Sequence, residues 1–287
     1  MRDYTDVWGR FQRRVIIKAE LVTVTGLRIG AGGESYLPSA TDLPILKQNG
    51  VPYIPGSSLR GPLRAEVERL VRTVEPGPTG GGYGACDPLY DRACGGRDAA
   101  KAAGQSLDPE SVWNSSCRVC RIFGSQRLAS RLRVRDLPLI DRTGGKGPWF
   151  DLRDGVAIDR EKETAASGLK FDFEVVVPGQ AFALEMVGEN LADDELGLVA
   201  YALKELHEQR LPIGGFKGRG LGRVRLDSLS VQVIDGIRDL KQFSRTNGAS
   251  PAPLRDDQAW AMLERWINSF WEQVGEPAGK AAGGAMQ

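Results

Sequence analysis

The apolar periodicity of this chain switches between two and 3.6, and that switching restricts the fold more than any other feature. In VIIKAELVTVTGLRI, Ile17, Ala19 and Leu21 alternate with Lys18 and Glu20. Such alternation makes a strand with one wet face. In SSLRGPLRAEVERLVRTV, the residues Leu59, Leu63, Val67, Leu70, Val71 and Val74 follow a helical repeat. Ser57 or Ser58 is the expected N-cap, with Pro62 tolerated near the first turn. Strand patterning returns in LRVRDLPLI and in KFDFEVVVPGQAFALEM. Pro178 and Gly179 suit the centre of a type II turn, so the flanking strands are expected to pair as a hairpin. A second helix, DDELGLVAYALKELHEQR, carries Leu196, Val199, Leu203 and Leu206 on one stripe. The strand GRVRLDSLSVQVI changes parity between Leu226 and Leu229, which predicts a bulge near Asp227 and Ser228. DQAWAMLERWINSFWEQV is a last helix. The order strand, helix, strands, hairpin, helix, strand is that of an α+β, ferredoxin-like βαββαβ core with large insertions. Residues 1–274 thus form one elaborated domain. The Gly/Ala-rich stretch 275–287 is expected to be a disordered tail.

Residues 75–122 break the periodicity. They carry PGPTGGGYGACD and CGGRDAAKAAGQ, and they hold all four cysteines of the chain: Cys86, Cys94, Cys117 and Cys120. Long segments without a core of their own are usually functional or held by another device. Four cysteines gathered there, two of them as C-x-x-C, fit a closed, structural tetrahedral zinc site. Free thiols and a redox dithiol are the competing readings, the second poor for a C-x-x-C outside a βαβ turn.

Charge places further restrictions. The net charge is +1, so the chain is no bulk polycation. Yet RVCRIFGSQRLASRLRVR contains six arginines and no acid. With Arg127 and Arg131 at its centre, it reads as a local nucleic-acid footprint or as a face whose acids come from elsewhere. LPIGGFKGRGLGRVRL interleaves glycines with Lys217, Arg219 and Arg223. Amides and cations so mixed make an anion cradle, and a tight connection needing positive φ is the alternative. The loop has neither the Walker A pattern nor the strand-to-helix order of a dinucleotide fingerprint. His207 is the single histidine and sits near a helix C-terminus, so chemistry built on two histidines or a histidine triad is disfavoured. No run approaches ~18 apolar residues. The N-terminus has charges throughout and no apolar h-region, so the expected location is the cytoplasm. In TDLPILKQNGVPYIPGSSLRG, Asp42 reads from the residues alone as a turn residue.

These motifs occur in a telling order. TGLRIGAGG, TDLPILKQNGVPYIPGSSLRGPLR, CRVCRIFGS, AIDREKETAASGLKFDFEVVVPGQAF and LPIGGFKGRGLGRVRL together resemble the RAMP superfamily. More narrowly, they resemble the backbone subunit of type III CRISPR effector complexes. The resemblance implies an RRM-like core that stacks along a CRISPR guide RNA beside neighbouring RAMP subunits and pairs that guide with target RNA. It implies guide contacts from Ser57, Ser58, Arg60 and Arg64, and a glycine-rich loop, 214–222, near the guide. It implies a thumb hairpin within 138–168. It also implies metal-dependent cleavage of target RNA at regular intervals through Asp42, with a divalent ion such as Mg. Two alternatives stand beside this reading: a non-catalytic scaffold subunit of the same complex, and a stand-alone endoribonuclease acting on guide precursors.

Overall fold

The computed structural model describes residues 7–32, 41–74, 84–87, 94, 109–145 and 147–274. The expected disordered tail, 275–287, lies outside them, as does most of 75–108. In chain order the strands and helices are β1 (Arg13–Thr23), β2 (Lys47–Gln48), β3 (Val51–Ile54), α1 (Gly56–Val74), α2 (Pro109–Ser115), α3 (Arg118–Phe123), β4 (Leu132–Val134), β5 (Leu137–Pro138), β6 (Phe150–Asp159), β7 (Thr164–Val176), β8 (Ala181–Glu189), α4 (Asp193–His207), β9 (Val224–Asp235), α5 (Gly236–Arg245), β10 (Leu254–Arg255) and α6 (Asp256–Val274).

The fold is mixed α/β around a sheet. Five strands run in the order β10-β9-β1-β8-β4, each antiparallel to its neighbour. Val15, Ile17, Ala19 and Leu21 of β1 point into the core, as their alternation predicts. Against them lie Leu59, Leu63, Val67 and Val71 of α1, Leu196, Leu203 and Leu206 of α4, and Leu263, Trp266 and Phe270 of α6. Each buried Val, Leu, Ile or Phe side chain among them contributes about 1.5–3 kcal/mol by leaving water. Gly197 permits the close approach of α4 to α6, because a Cβ there would lie 2.2 Å from the Trp266 carbonyl oxygen. The predicted bulge is present. Register slips between Lys18 and Glu20 of β1, opposite a Ser228 at φ 51°.

Two local expectations are corrected. The strands flanking Pro178 and Gly179 do not pair with each other. β8 pairs with β1 and β4, while β7 pairs with β6 in a separate two-stranded hairpin. The end of β1 intervenes: the Thr23 amide donates to the Gln180 carbonyl, and the Gly179 amide donates back to Thr23. The turn therefore carries the chain from one sheet to another. Helix α1 also starts earlier than its serines suggest. It begins at Gly56, whose amide donates to Asp136 Oδ1 at 2.8 Å, so the cap comes from eighty residues away. A Cβ at Gly56 would sit 2.3 Å from the Val134 carbonyl oxygen, so the position demands glycine. Pro62 consequently lies in the second turn, where it removes the amide that would bond the Ser58 carbonyl.

Candidate functional site

Asp42 lies on an exposed loop that runs beside β7. Leu43 forms a parallel bridge with Phe173, and the Glu174 amide donates to the Leu43 carbonyl at 3.1 Å. Side chains of β7 complete the seam. Asp172 Oδ1 accepts from the Asp42 amide at 2.7 Å and from Thr41 Oγ1 at 2.6 Å. In return the Asp172 amide donates to Asp42 Oδ2 at 3.0 Å. One residue pair on, Glu174 accepts from the Ile45 amide at 3.0 Å and from Lys47 Nζ at 2.7 Å. The donors around Asp172, Thr41 first, hold its carboxyl below the ordinary aspartate range. The turn reading of Asp42 is thus incomplete, because its partner is 130 residues away.

The glycine-rich loop reaches the same place. Phe173 packs edge-on against Phe216, ring centroids 4.9 Å apart, with Leu43, Val175 and Leu221 in one apolar cluster. Phe216 is left-handed at φ 58°, an uncommon conformation for a bulky residue. Arg28 and Arg219 lie over its ring at 5.1 and 4.8 Å. Arg28 Nε is buried and has no hydrogen-bond partner among the described residues. Lys217 and Arg219 form a short 3₁₀ turn and are exposed, as are Gly218 and Gly220. The glycines divide by position. Gly214 and Gly222 serve tight connection, since a Cβ there would meet the carbonyls of Arg28 and Ile213 at 2.4 and 2.1 Å. Gly218 and Gly220 face open space beside the cations. Thr41, Asp172, Arg28 and Phe216 are members of this cluster that sequence reasoning missed. The only local signal was the alternation placing Asp172 on the wet face of its strand.

The arginine run is largely answered by acids from elsewhere. Arg118 meets Asp194 at 3.4 Å, Arg133 meets Glu189 at 2.6 Å, and Arg135 meets Glu185 at 3.2 Å. Arg131 departs furthest from its expected role as an RNA contact. It is 1% exposed, pairs with Glu195, and donates to the carbonyls of Arg121 and Asn190 at 2.8 and 2.9 Å. A guanidinium so enclosed presents nothing to a nucleic acid. Arg127 is half-buried beside Leu128, its amide bonded to Ser125 Oγ at 3.3 Å. On α1, Ser57 is exposed and Ser58 half-buried. Arg60 donates to the Phe123 carbonyl, and Arg64 donates to the Gly124 carbonyl at 2.9 Å and to Glu68 at 2.7 Å. Burial, with Arg64 nearby, lowers the pKa of Arg60.

These two arginines lead to the cysteine centre. The sulfurs of Cys86, Cys94, Cys117 and Cys120 all lie within 4.8 Å of one another. A zinc tetrahedron with ~2.3 Å bonds has sulfur–sulfur edges of about 3.8 Å. The Cys86–Cys120 and Cys86–Cys117 separations are 3.4 and 3.8 Å, so the set fits a closed site of four cysteine ligands. Amides point at the sulfurs: Cys117 N at Cys94 Sγ, 3.2 Å, and Cys120 N at Cys117 Sγ, 3.4 Å. Arg64 Nη2 adds a third donor, 3.4 Å from Cys120 Sγ. These groups suit sulfurs carrying negative charge. Thiol donation, from Cys120 above all, drives the Cys117 pKa down.

Comparisons with known proteins bear on this arrangement. The family model described as the RAMP superfamily matches residues 20–225. A protein of Methanothermobacter thermautotrophicus named CRISPR system Cms endoribonuclease Csm3 is 28% identical over 242 residues, 78% of this chain and 87% of its own length. Its namesake in Methanocaldococcus jannaschii is 25% identical over 268 residues, 90% of this chain and 94% of its own. That of Enterococcus italicus is 27% identical over 224 residues, covering 77% and 94%. Among the described residues, no helix is long and apolar enough to cross a membrane.

Proposed function

The chain belongs to the RAMP superfamily, and we propose that it is the guide-RNA-binding backbone subunit of a type III CRISPR effector complex, cleaving complementary target RNA through Asp42. The observation that carries this reading is the meeting of the Asp42 loop with the cationic glycine loop across Phe173 and Phe216. Its relatives are named as Csm3 endoribonucleases. The sheet supports a ferredoxin-like core: β9, β1, β8 and β4 stand in the order fourth, first, third, second of a βαββαβ unit, with α1 and α4 as its helices.

In this reading base pairing with the guide selects the target, so the protein needs backbone contacts and not base contacts. Lys217 and Arg219 supply exposed cations, and Ser57, Ser58, Arg60, Arg64 and Arg127 line the remaining guide contacts. The β6–β7 hairpin, which overlaps the expected 138–168 but runs on to Val176, serves as the thumb. It leaves Leu152, Val156, Ile158 and Leu169 at least half exposed, an apolar set suited to wedging against stacked bases. Asp42 is the residue that would hold a divalent ion such as Mg, and such an ion, when bound, would supply charge stabilisation at the scissile phosphate. A zinc ion held by Cys86, Cys94, Cys117 and Cys120 would stand in for the missing core of the insertion, with no role in cleavage. The place of action is the cytoplasm, within an assembly of further RAMP subunits.

The test is Asp42→Ala in the assembled complex. Assembly and target binding are expected to persist, and cleavage at regular intervals to disappear. Undiminished cutting by that variant would end the catalytic reading and spare the scaffold reading. A native complex that leaves complementary RNA whole with Mg present would favour the scaffold. The stand-alone precursor nuclease gains nothing from the lone histidine: His207 Nδ1 accepts from the Leu226 amide at 3.3 Å and its ring packs on Trp260 at 4.5 Å.

A further inference from the structure

We propose that Asp172 is the positioning residue for Asp42, setting where the cleaving carboxylate stands. This rests on the reading of Asp42 as the cleaving group. Asp42 occupies a loop, and a loop residue alone does not hold a carboxylate to the tolerance that in-line chemistry needs. Here the loop is tied to a strand on both sides of the residue. One oxygen of Asp172, Oδ1, collects the Asp42 amide and the Thr41 hydroxyl, at 2.7 and 2.6 Å. The backbone amide of the same residue holds Asp42 Oδ2 at 3.0 Å. Asp42 is thus gripped at its main chain by a side chain and at its side chain by a main chain. Its other oxygen, Oδ1, accepts no hydrogen bond from another described residue.

The strand that carries Asp172 is itself fixed. Phe173 is buried between Leu43 and Phe216, and Val176 and Leu27 exchange amides at 2.8 and 3.0 Å. The grip is anchored in the same apolar cluster that seats the glycine loop. Two donors converge on Oδ1 of Asp172, which fixes where the loop stands, and β7 gives that oxygen a rigid support.

The experiment uses the assembled complex with its guide, a complementary RNA and Mg. Asp172→Ala is expected to slow single-turnover cleavage about 10- to 100-fold, the effect of misplacing a reacting group by roughly 1 Å, with target affinity unchanged. Asp172→Asn keeps an oxygen where both donors point, and it is expected to restore most of the rate. Hydrogen exchange at the Asp42 amide should rise in the alanine variant and not in the asparagine variant. Thr41→Val, which removes one of the two donors, should slow cleavage to an intermediate degree and guards against a misfolded alanine variant. Native-like cleavage by Asp172→Ala overturns the proposal. So does an asparagine variant as slow as the alanine one, since charge and not position would then be the requirement. If Asp42→Ala cleaves normally, the underlying reading fails, while the exchange result still reports on the grip itself.

Discussion

Replacing Arg131 by Met tests whether the arginine run is a nucleic-acid surface or part of the scaffold. Arg131 is 1% exposed and Glu195, its partner, 9%. Met keeps much of the length and apolar bulk but none of the donors. Its introduction strands Glu195 as a buried charge and takes a donor from the Arg121 and Asn190 carbonyls. Glu195 keeps one compensating bond, from the Ala192 amide at 2.9 Å, which caps α4. Breaking a buried pair from one side costs about 3–5 kcal/mol. Near the middle of that range, and with a urea slope of about 3 kcal/mol per M, the unfolding midpoint falls by about 1.3 M. The double variant Arg131→Met with Glu195→Leu removes the stranded charge and is expected to recover most of that loss. The assay is urea unfolding followed by tryptophan fluorescence, apt because Trp113 lies 5.0 Å from the Arg131 guanidinium. Should Arg131→Met fail to accumulate folded, the recovery of the double variant still decides the matter. A midpoint within about 0.3 M of the parent, joined to a weaker, less salt-dependent affinity for RNA, would refute the buried assignment.

Other outcomes follow from the same geometry. Metal analysis should find one zinc per chain, lost in the double variant Cys117→Ser, Cys120→Ser, and chelation should lower the thermal midpoint. Lys217→Ala and Arg219→Ala should each weaken RNA binding uniformly across sequences and reduce the salt slope by about one. Gly56→Ala should destabilise the chain, because its Cβ cannot coexist with the Val134 carbonyl at 2.3 Å; circular dichroism melting reads the loss. The Asp172 carboxyl is held below its ordinary range by Thr41 and the Asp42 amide. Its stabilisation of the loop is therefore complete above the unfolded aspartate value and fades only as pH falls through the lower folded one. Amide exchange at Asp42 across an acid series should show protection persisting below the ordinary aspartate midpoint.

Much of the scaffold was legible because it depends on neighbours in sequence. Ile17, Ala19 and Leu21 report their own strand, and Leu196, Val199, Leu203 and Leu206 their own helix, since side-chain direction repeats with backbone period. The bulge at Ser228 announced itself as a change of parity. The four cysteines announced a shared site by composition and spacing, although the sequence had no means to bring Cys86 and Cys94 to within 4.8 Å of the C-x-x-C pair. Turn chemistry was less secure. Pro178 and Gly179 did make a turn, but whether its arms pair depended on where the end of β1 fell.

What the sequence by itself determined is which segments bury one face, which residue types gather in the insertion, and which motifs stand in the order of the RAMP superfamily. Tertiary structure alone decided what each charge meets. Local sequence showed six arginines without an acid; the sheet and α4 brought Asp194, Glu195, Glu189 and Glu185 to four of them. It showed a lone Asp42; β7 brought Asp172 to its amide across 130 residues. The physical reason is range. Periodicity is written in a few consecutive residues, whereas ion pairs and hydrogen bonds act over a few ångströms of space and join whatever the packed core places there.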